Sequence, residues 1–331
     1  MCKLSIIIPV YFNADTLEPL YYDLKEKVLT KLSDYEIIFV DDGSTDNSYE
    51  IIQQLAKEDC NVKSIKLSRN FGEHAAILAG LLNCSGDCAI TKQADMQEDS
   101  ELILTMFDKY KEGNKVVIAA RKERKEKLHI KFFANIYYWL IRKTTFNNMP
   151  KGGFDCFLID RQVIEILRNL DEKNSSLTLQ ILWVGFTPAI VNFTRKERIA
   201  GKSKWTLKKK AKLVVDSLTS FSSYPIKLVS YIGFLSFIFS TLAGIYFIFD
   251  QLAYSKNIIG WTSTIVIILM AFGIIMLTLG ILGEYIWRIL EDTRKRPTYI
   301  IDEDSSQKNK NENLKIQWFG IFMRCPKGQQ R

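Results

Sequence analysis

The chain is short of metal-binding side chains. Two histidines stand in 331 residues, and the six cysteines (Cys2, Cys60, Cys84, Cys88, Cys156 and Cys325) are scattered, mostly among apolar neighbours. Only Cys84 and Cys88 lie close together, so a zinc site is not expected, and reduced thiols of the cytosolic side fit better. No G-x-G-x-x-G and no G-x-x-x-x-G-K-[ST] occurs, which excludes the usual dinucleotide and NTPase loops. The N-terminus runs from Met1-Cys2-Lys3 straight into a strand pattern, with no signal peptide. Acidic residues are in deficit: 45 Lys and Arg face 37 Asp and Glu, a formal charge of +8 with a pI near 9.0. An anionic partner follows, whether phosphorylated substrate, acidic membrane or nucleic acid.

Charge of either sign is missing from two stretches, 228–249 and 258–283. Each exceeds the roughly 20 residues that cross a bilayer, so a two-helix membrane hairpin is expected. Lys and Arg cluster on both outer flanks, over 208–227 and 288–296, which puts both ends of the hairpin in the cytoplasm. Just upstream, 195–212 holds nine basic residues against one acid, Glu197. From Thr206 the pattern turns helical, with Leu207, Ala211, Val214, Leu218 and Phe221 on one face and lysines mostly elsewhere. Such a helix suits an anionic membrane surface. Nucleic acid would be the competing partner, but the neighbouring spans argue against it. The divisions expected are a catalytic-type domain over 1–205, an interfacial helix over 206–227, two spans within 228–283 and a cytoplasmic tail over 284–331. The polar stretch 302–313 reads as disordered.

The first half alternates apolar, β-branched runs with helical patterns. Strands are expected at Leu4–Val10, 36–40, Val62–Leu67, Cys88–Thr91 and 115–120. Helices are expected from 17 to 32, over 48–57, at Glu73–Leu82 and over 98–110. This is the βαβ pattern of a parallel, doubly wound sheet. Ligands of such sheets bind outside the carboxyl ends of the strands. There the sequence places Asp41 and Asp42, and, after the fourth strand, Lys92-Gln93-Ala94-Asp95-Met96-Gln97. Asp95 and Gln97 offer oxygen ligands suited to Mg²⁺ or Mn²⁺ held together with substrate phosphates. The plainer alternative is a strand-to-helix loop with capping carboxylates.

Later segments add further candidates. The charged run 121–131, beginning at Arg121, reads either as a solvated loop or as one that meets phosphate. The aromatic-rich 130–141 suits an interfacial or a core helix. Asp155, between Phe154 and Cys156, would be costly to bury without a partner or a function.

Ser5-Ile6-Ile7-Ile8-Pro9-Val10-Tyr11-Phe12-Asn13, Val40-Asp41-Asp42-Gly43-Ser44-Thr45-Asp46 and Ala94-Asp95-Met96-Gln97 together resemble the family-2 inverting glycosyltransferases of the GT-A fold. Gly152-Gly153-Phe154-Asp155, Arg198-Ile199-Ala200-Gly201-Lys202-Ser203-Lys204 and Phe221-Ser222-Ser223-Tyr224-Pro225 ahead of two spans narrow the resemblance to polyprenyl-phosphate glycosyltransferases. It covers residues 1 to about 300 and departs from the family at one place, where Gln93 replaces the first Asp of the Asp-x-Asp metal motif.

The resemblance implies an α/β GT-A domain at the cytoplasmic face of the plasma membrane. It would move one sugar from a nucleotide-sugar, UDP-linked by expectation, to polyprenyl phosphate with inversion. Pro9, Tyr11, Asn13, Asp41 and Asp42 would hold the nucleotide, and Asp95 and Gln97 the divalent cation. Arg121, Arg198 and Lys202 would grip phosphate, and Asp155 would serve the acceptor side. On this reading Gln93→Asp should leave the enzyme active, with room for tighter cation binding. A homo-oligomer stays open. Two rivals are a processive polysaccharide synthase, whose Gln-x-x-Arg-Trp is lacking at Gln180-Ile181-Leu182-Trp183, and a non-catalytic membrane scaffold with a degenerate metal site.

Overall fold

A computed structural model describes residues 2–121, 153–170, 176–194 and 261–305, with most of 138–150 and scattered positions of 229–249. In chain order the elements are β1 (Leu4–Val10), α1 (Ala14–Lys27), a 3-10 turn (Leu29–Lys31), β2 (Tyr35–Asp41), α2 (Ser48–Glu58), β3 (Val62–Leu67) and α3 (Glu73–Leu82). There follow β4 (Cys88–Thr91), α4 (Leu102–Lys111), β5 (Val116–Arg121), β6 (Phe157–Asp160), α5 (Arg161–Asn169) and α6 (Leu177–Trp183). The last are β7 (Ala189–Phe193), α7 (Trp261–Thr293) and β8 (Ile301–Asp304).

The eight strands form one sheet in the order β7-β5-β6-β4-β1-β2-β3-β8. β4, β1, β2 and β3 are mutually parallel, as the βαβ pattern requires. Side chains alternate between the faces of the sheet. Ile6, Ile8, Ile37 and Phe39 pack with α1, α2 and α4, while Ile7, Ile38 and Val40 pack with α3, α5 and α6. Gly80 lets α3 lie close on β1, since a Cβ there would come within 2.3 Å of the Ile7 Cγ2.

The sheet is mostly parallel, as expected, with β6 antiparallel between β4 and β5 and β8 antiparallel along β3. Three expectations need correction. The fourth helix begins at Leu102 rather than at 98, because side-chain bonds hold the preceding residues as a loop. The Ser100 hydroxyl donates to Asp23 Oδ2 at 2.5 Å, and Lys92 Nζ donates to the Glu98 carbonyl at 2.5 Å. The tail is not disordered from 302. Residues 302–304 belong to β8, tied by Ser68 N–H to the Ile300 carbonyl and by Ser64 N–H to the Ser305 hydroxyl. Lastly, α7 runs ten residues beyond Gly283, carrying the Arg288–Glu284 ion pair at 3.0 Å.

At 33 residues α7 is about 50 Å long, more than the ~30 Å hydrocarbon layer. Ala271–Thr293 meets the length and apolarity of a crossing, the one such helix among the described residues. The charge-free part, however, is 261–283, and it is the part that suits hydrocarbon, because Glu284, Arg288, Glu291 and Asp292 lie beyond it. Its large apolar side chains, among them Ile268, Phe272 and Ile275, are exposed. The described positions of 229–249 are all helical, and Tyr231, Phe234, Phe239 and Phe249 are exposed there too. The remaining residues of that stretch, and 206–227, lie outside the described residues.

Candidate active site

The carboxyl edge of the sheet gathers the loops after β1, β2, β3, β4 and β5, the turn into β6, and the end of β7. Two bulky residues there have left-handed backbones: Phe12 after β1 and Met96 after β4, each with φ 53°. Such conformations in residues with a Cβ carry strain and cluster at ligand sites. The first loop is pinned by side chains. Phe12 N–H donates to the Ser44 hydroxyl and Asn13 N–H to the Ser48 hydroxyl, both at 3.0 Å, while the Asn13 side chain accepts from Tyr11 N–H at 3.1 Å. Pro9 is buried in β1 opposite Val40 and acts through the backbone it shapes.

The two acids ending β2 have different surroundings. Asp42 accepts from Phe71 N–H at 2.7 Å and Gly72 N–H at 2.9 Å, so its carboxylate holds the loop after β3 against the site. Gly43, at φ 69°, lets that loop approach: a Cβ would lie 2.6 Å from the Arg69 backbone. Asp41 is fully buried. One oxygen accepts from Ser44 N–H at 3.1 Å, while Oδ1 has no hydrogen-bond partner. Burial pushes the Asp41 carboxyl above its ordinary value, and the Ser44 bonds offset this in part. A buried acceptor without a donor costs about 1–3 kcal/mol, so Asp41 Oδ1 is a place for a ligand N–H or hydroxyl.

After β4 the loop is closed from beneath by Lys92, which is 1% exposed and reaches Glu98 as described above. Burial depresses the Lys92 ammonium, while Glu98, Cys156, Asp23 and Asp95 favour its charged form. Asp95 Oδ1 accepts from Gln97 N–H at 3.2 Å, and Gln93 Nε2 donates to Glu73 Oε1 at 2.7 Å. Across β4, Thr91 accepts from Phe157 N–H at 3.1 Å, which sets Asp155 beside this loop. Asp155 does find a partner: the Arg121 guanidinium binds its carboxylate directly. The two residues expected in separate acceptor and phosphate roles thus form one ion pair. β7 ends at Phe193 opposite Arg121, so the chain leaves the sheet at this edge. Arg198 and Lys202, with 122–131 and Gly152, lie outside the described residues.

The residue pattern of Glycosyl transferase family 2 matches positions 5–167. A Bacillus subtilis protein named uncharacterized glycosyltransferase YkcC is 40% identical over 92% of this chain and 95% of its own. The chain belongs to glycosyltransferase family 2. The bactoprenol glucosyl transferase of Shigella phage SfV is 33% identical to this glycosyltransferase, over 92% of the chain and all of its own length. Among solved structures, glucosyl-3-phosphoglycerate synthase from Mycobacterium tuberculosis with Mn²⁺ and UDP gives a TM-score of 0.47 at 15% identity, over 66% of this chain and 79% of that one. As a family-2 glycosyltransferase the protein is an enzyme, and the scaffold alternative falls.

Sequence reading placed Lys92 at this edge without giving it a role, and missed Glu73. A lone lysine beside a polar run looks solvated, and Glu73 looks like an acid of a helix first turn. The signal available was the odd placement of Lys92 directly after the apolar strand Cys88–Thr91.

A divalent cation fits this donor set in one form. Among the described residues no three of His, Cys, Asp and Glu gather as a cage. The Asp95 carboxylate and the side-chain carbonyls of Gln97 and Gln93 are the oxygen donors that this loop offers such an ion. A small hard cation commonly takes one or two carboxylates and completes its shell with substrate phosphates and water.

Proposed function

We propose that this glycosyltransferase moves one sugar from a UDP-linked donor to a polyprenyl phosphate, with inversion, on the cytoplasmic face of the plasma membrane. The lipid acceptor is suggested by the bactoprenol glucosyl transferases among its relatives, matched over nine-tenths of the chain. Asp41 Oδ1 would accept from the base or ribose, the pinned Tyr11–Asn13 loop would cradle the nucleoside, and Asp42 would hold the wall of the pocket. Asp95, Gln97 and Gln93 would hold Mg²⁺ or Mn²⁺, which when bound neutralises the diphosphate as it leaves. The acceptor phosphate is already an anionic nucleophile, so little base catalysis is needed. Asp155 would then orient Arg121, and Arg121, Arg198 and Lys202 would bind phosphate.

The observation that carries the membrane reading is the return of the chain after α7 to the catalytic sheet. β7 and β8 belong to one sheet, so residues before 194 and after 300 share one side of a bilayer. A chain that leaves and returns to the same side crosses an even number of times. With α7 as one crossing, the uncharged 228–249 stretch is the natural second.

Labelled UDP-sugars offered with undecaprenyl phosphate to the purified enzyme should yield labelled lipid in a chelator-sensitive reaction. Labelled long polymer instead would favour a polysaccharide synthase. In whole cells, a cysteine at Ser255 should react with an impermeant reagent and one at Asp292 should not; reaction at both would sink the hairpin.

A further inference from the structure

The first turn of α3 lies outside every motif that marked the site, yet it touches the site loop. Glu73 is half-buried and accepts from Gln93 Nε2 at 2.7 Å; this is the hydrogen bond of the Gln93 side chain among the described residues. An ionised carboxylate can only accept, so the amide nitrogen must face Glu73 and the carbonyl oxygen must face away from it. Glu73 follows directly on Phe71 and Gly72, whose N–H groups are held by Asp42. Its backbone is therefore fixed from β2 while its side chain fixes β4's loop.

We propose that Glu73 is a positioning residue that makes neutral Gln93 a usable cation ligand. It fixes the amide's orientation, and by taking the hydrogen bond it adds electron density at the carbonyl oxygen, as outer partners do for metal-bound imidazoles and carboxylates. The same contact explains why position 93 is neutral. An Asp there would bring a second carboxylate toward Glu73 in place of a donor, so Gln93→Asp should weaken the site rather than tighten it, against the expectation from the motif alone. The inference rests on the reading of Asp95 as the cation's carboxylate.

A plain structural role for Glu73 is also available, since an acid in a first helical turn favours the helix dipole by about 0.3–1 kcal/mol. The test separates the two. Mn²⁺ binding to the full-length enzyme, with UDP present, is followed by electron paramagnetic resonance, and thermal unfolding is followed alongside. Glu73→Gln should weaken Mn²⁺ about tenfold, the low end for loss of an outer partner. Gln93→Asp should also weaken it, and Gln93→Asp combined with Glu73→Gln should bind more tightly than Gln93→Asp alone. A structural role predicts a lower unfolding temperature with the same Glu73→Gln effect whatever residue stands at 93, and that result overturns the proposal. Asp95→Asn is the control. If it weakens Mn²⁺ while Glu73→Gln does not, the inference fails and the metal reading stands. If Asp95→Asn leaves Mn²⁺ binding unchanged, the metal reading fails and takes the inference with it.

Discussion

Strand β2 carries a buried carboxylate at each end, and the two are treated oppositely. At the amino end, Glu36 accepts from the Ser5 hydroxyl at 2.6 Å, Lys63 Nζ at 2.6 Å, Ser85 N–H at 2.5 Å, the Ser85 hydroxyl at 2.9 Å and Gly86 N–H at 3.1 Å. Burial alone would raise the Glu36 carboxyl, but the bonds from Lys63, Ser5 and Ser85 outweigh it and hold it at about 2. At the carboxyl end, Asp41 is as deeply buried and keeps an oxygen without a donor, and its carboxyl is pushed up. Five residues apart on one strand, one acid is saturated by its own fold and the other is left for something else to satisfy. The amino edge staples β1, β2, β3 and the turn before β4; the carboxyl edge is where that stability is used.

The largest expected effect tests the carboxyl edge directly. Asp95→Asn should cut transfer at least about 10²-fold, the scale of removing a main electrostatic stabiliser, with folding unchanged. Full metal-dependent activity in that variant would move the cation elsewhere. Next comes the amino edge. Glu36→Gln should lower unfolding free energy by about 3 kcal/mol at neutral pH, since it strands Lys63 and leaves backbone donors poorly matched. Because the folded carboxyl sits at about 2 against an ordinary 4.5, this contribution is complete above pH 4.5 and fades as pH falls towards 2. Denaturation of both forms at neutral and acid pH should therefore converge at low pH; a constant gap would show that the ionised network is not its source. The smallest effect is the most diagnostic. Asp41→Asn should weaken UDP binding by about tenfold, the value of a hydrogen bond to a charged group. The same change should slightly raise the stability of the empty enzyme, because a carboxyl with a raised value loses stability as pH rises through that value. Weaker binding with lower stability would make Asp41 a structural acid like Glu36.

Much of the core was legible because it is local. β1, β3, α3 and β4 fall where apolar runs and helical spacing put them, and the three motif segments do converge on one edge. What was not legible depends on contacts distant in the chain or on backbone angles. Ser64 bonds Ser305 across 241 positions, and no periodicity in an acidic tail announces that Ile301–Asp304 will pair with β3. Phe12 and Met96 turn left-handed without the glycine that would signal it. Glu73 and Gln93, 20 residues apart, share no motif, and only their bond joins them.

The excursion from 194 to 300 leaves the sheet from one edge strand, β7, and rejoins it at the other, β8. Both junctions lie at the carboxyl edge, and seven interstrand spacings of about 4.8 Å put them roughly 34 Å apart. From Arg294 to Ile300 the second tether can reach at most about 25 Å. A body hung from a single flexible cord can swing and spin freely; one slung from two widely spaced points keeps a fixed heading. On the proposed membrane-bound reading, the catalytic mouth would be aimed at the layer that holds the helix, and encounters with a lipid-borne acceptor would become a search in two dimensions.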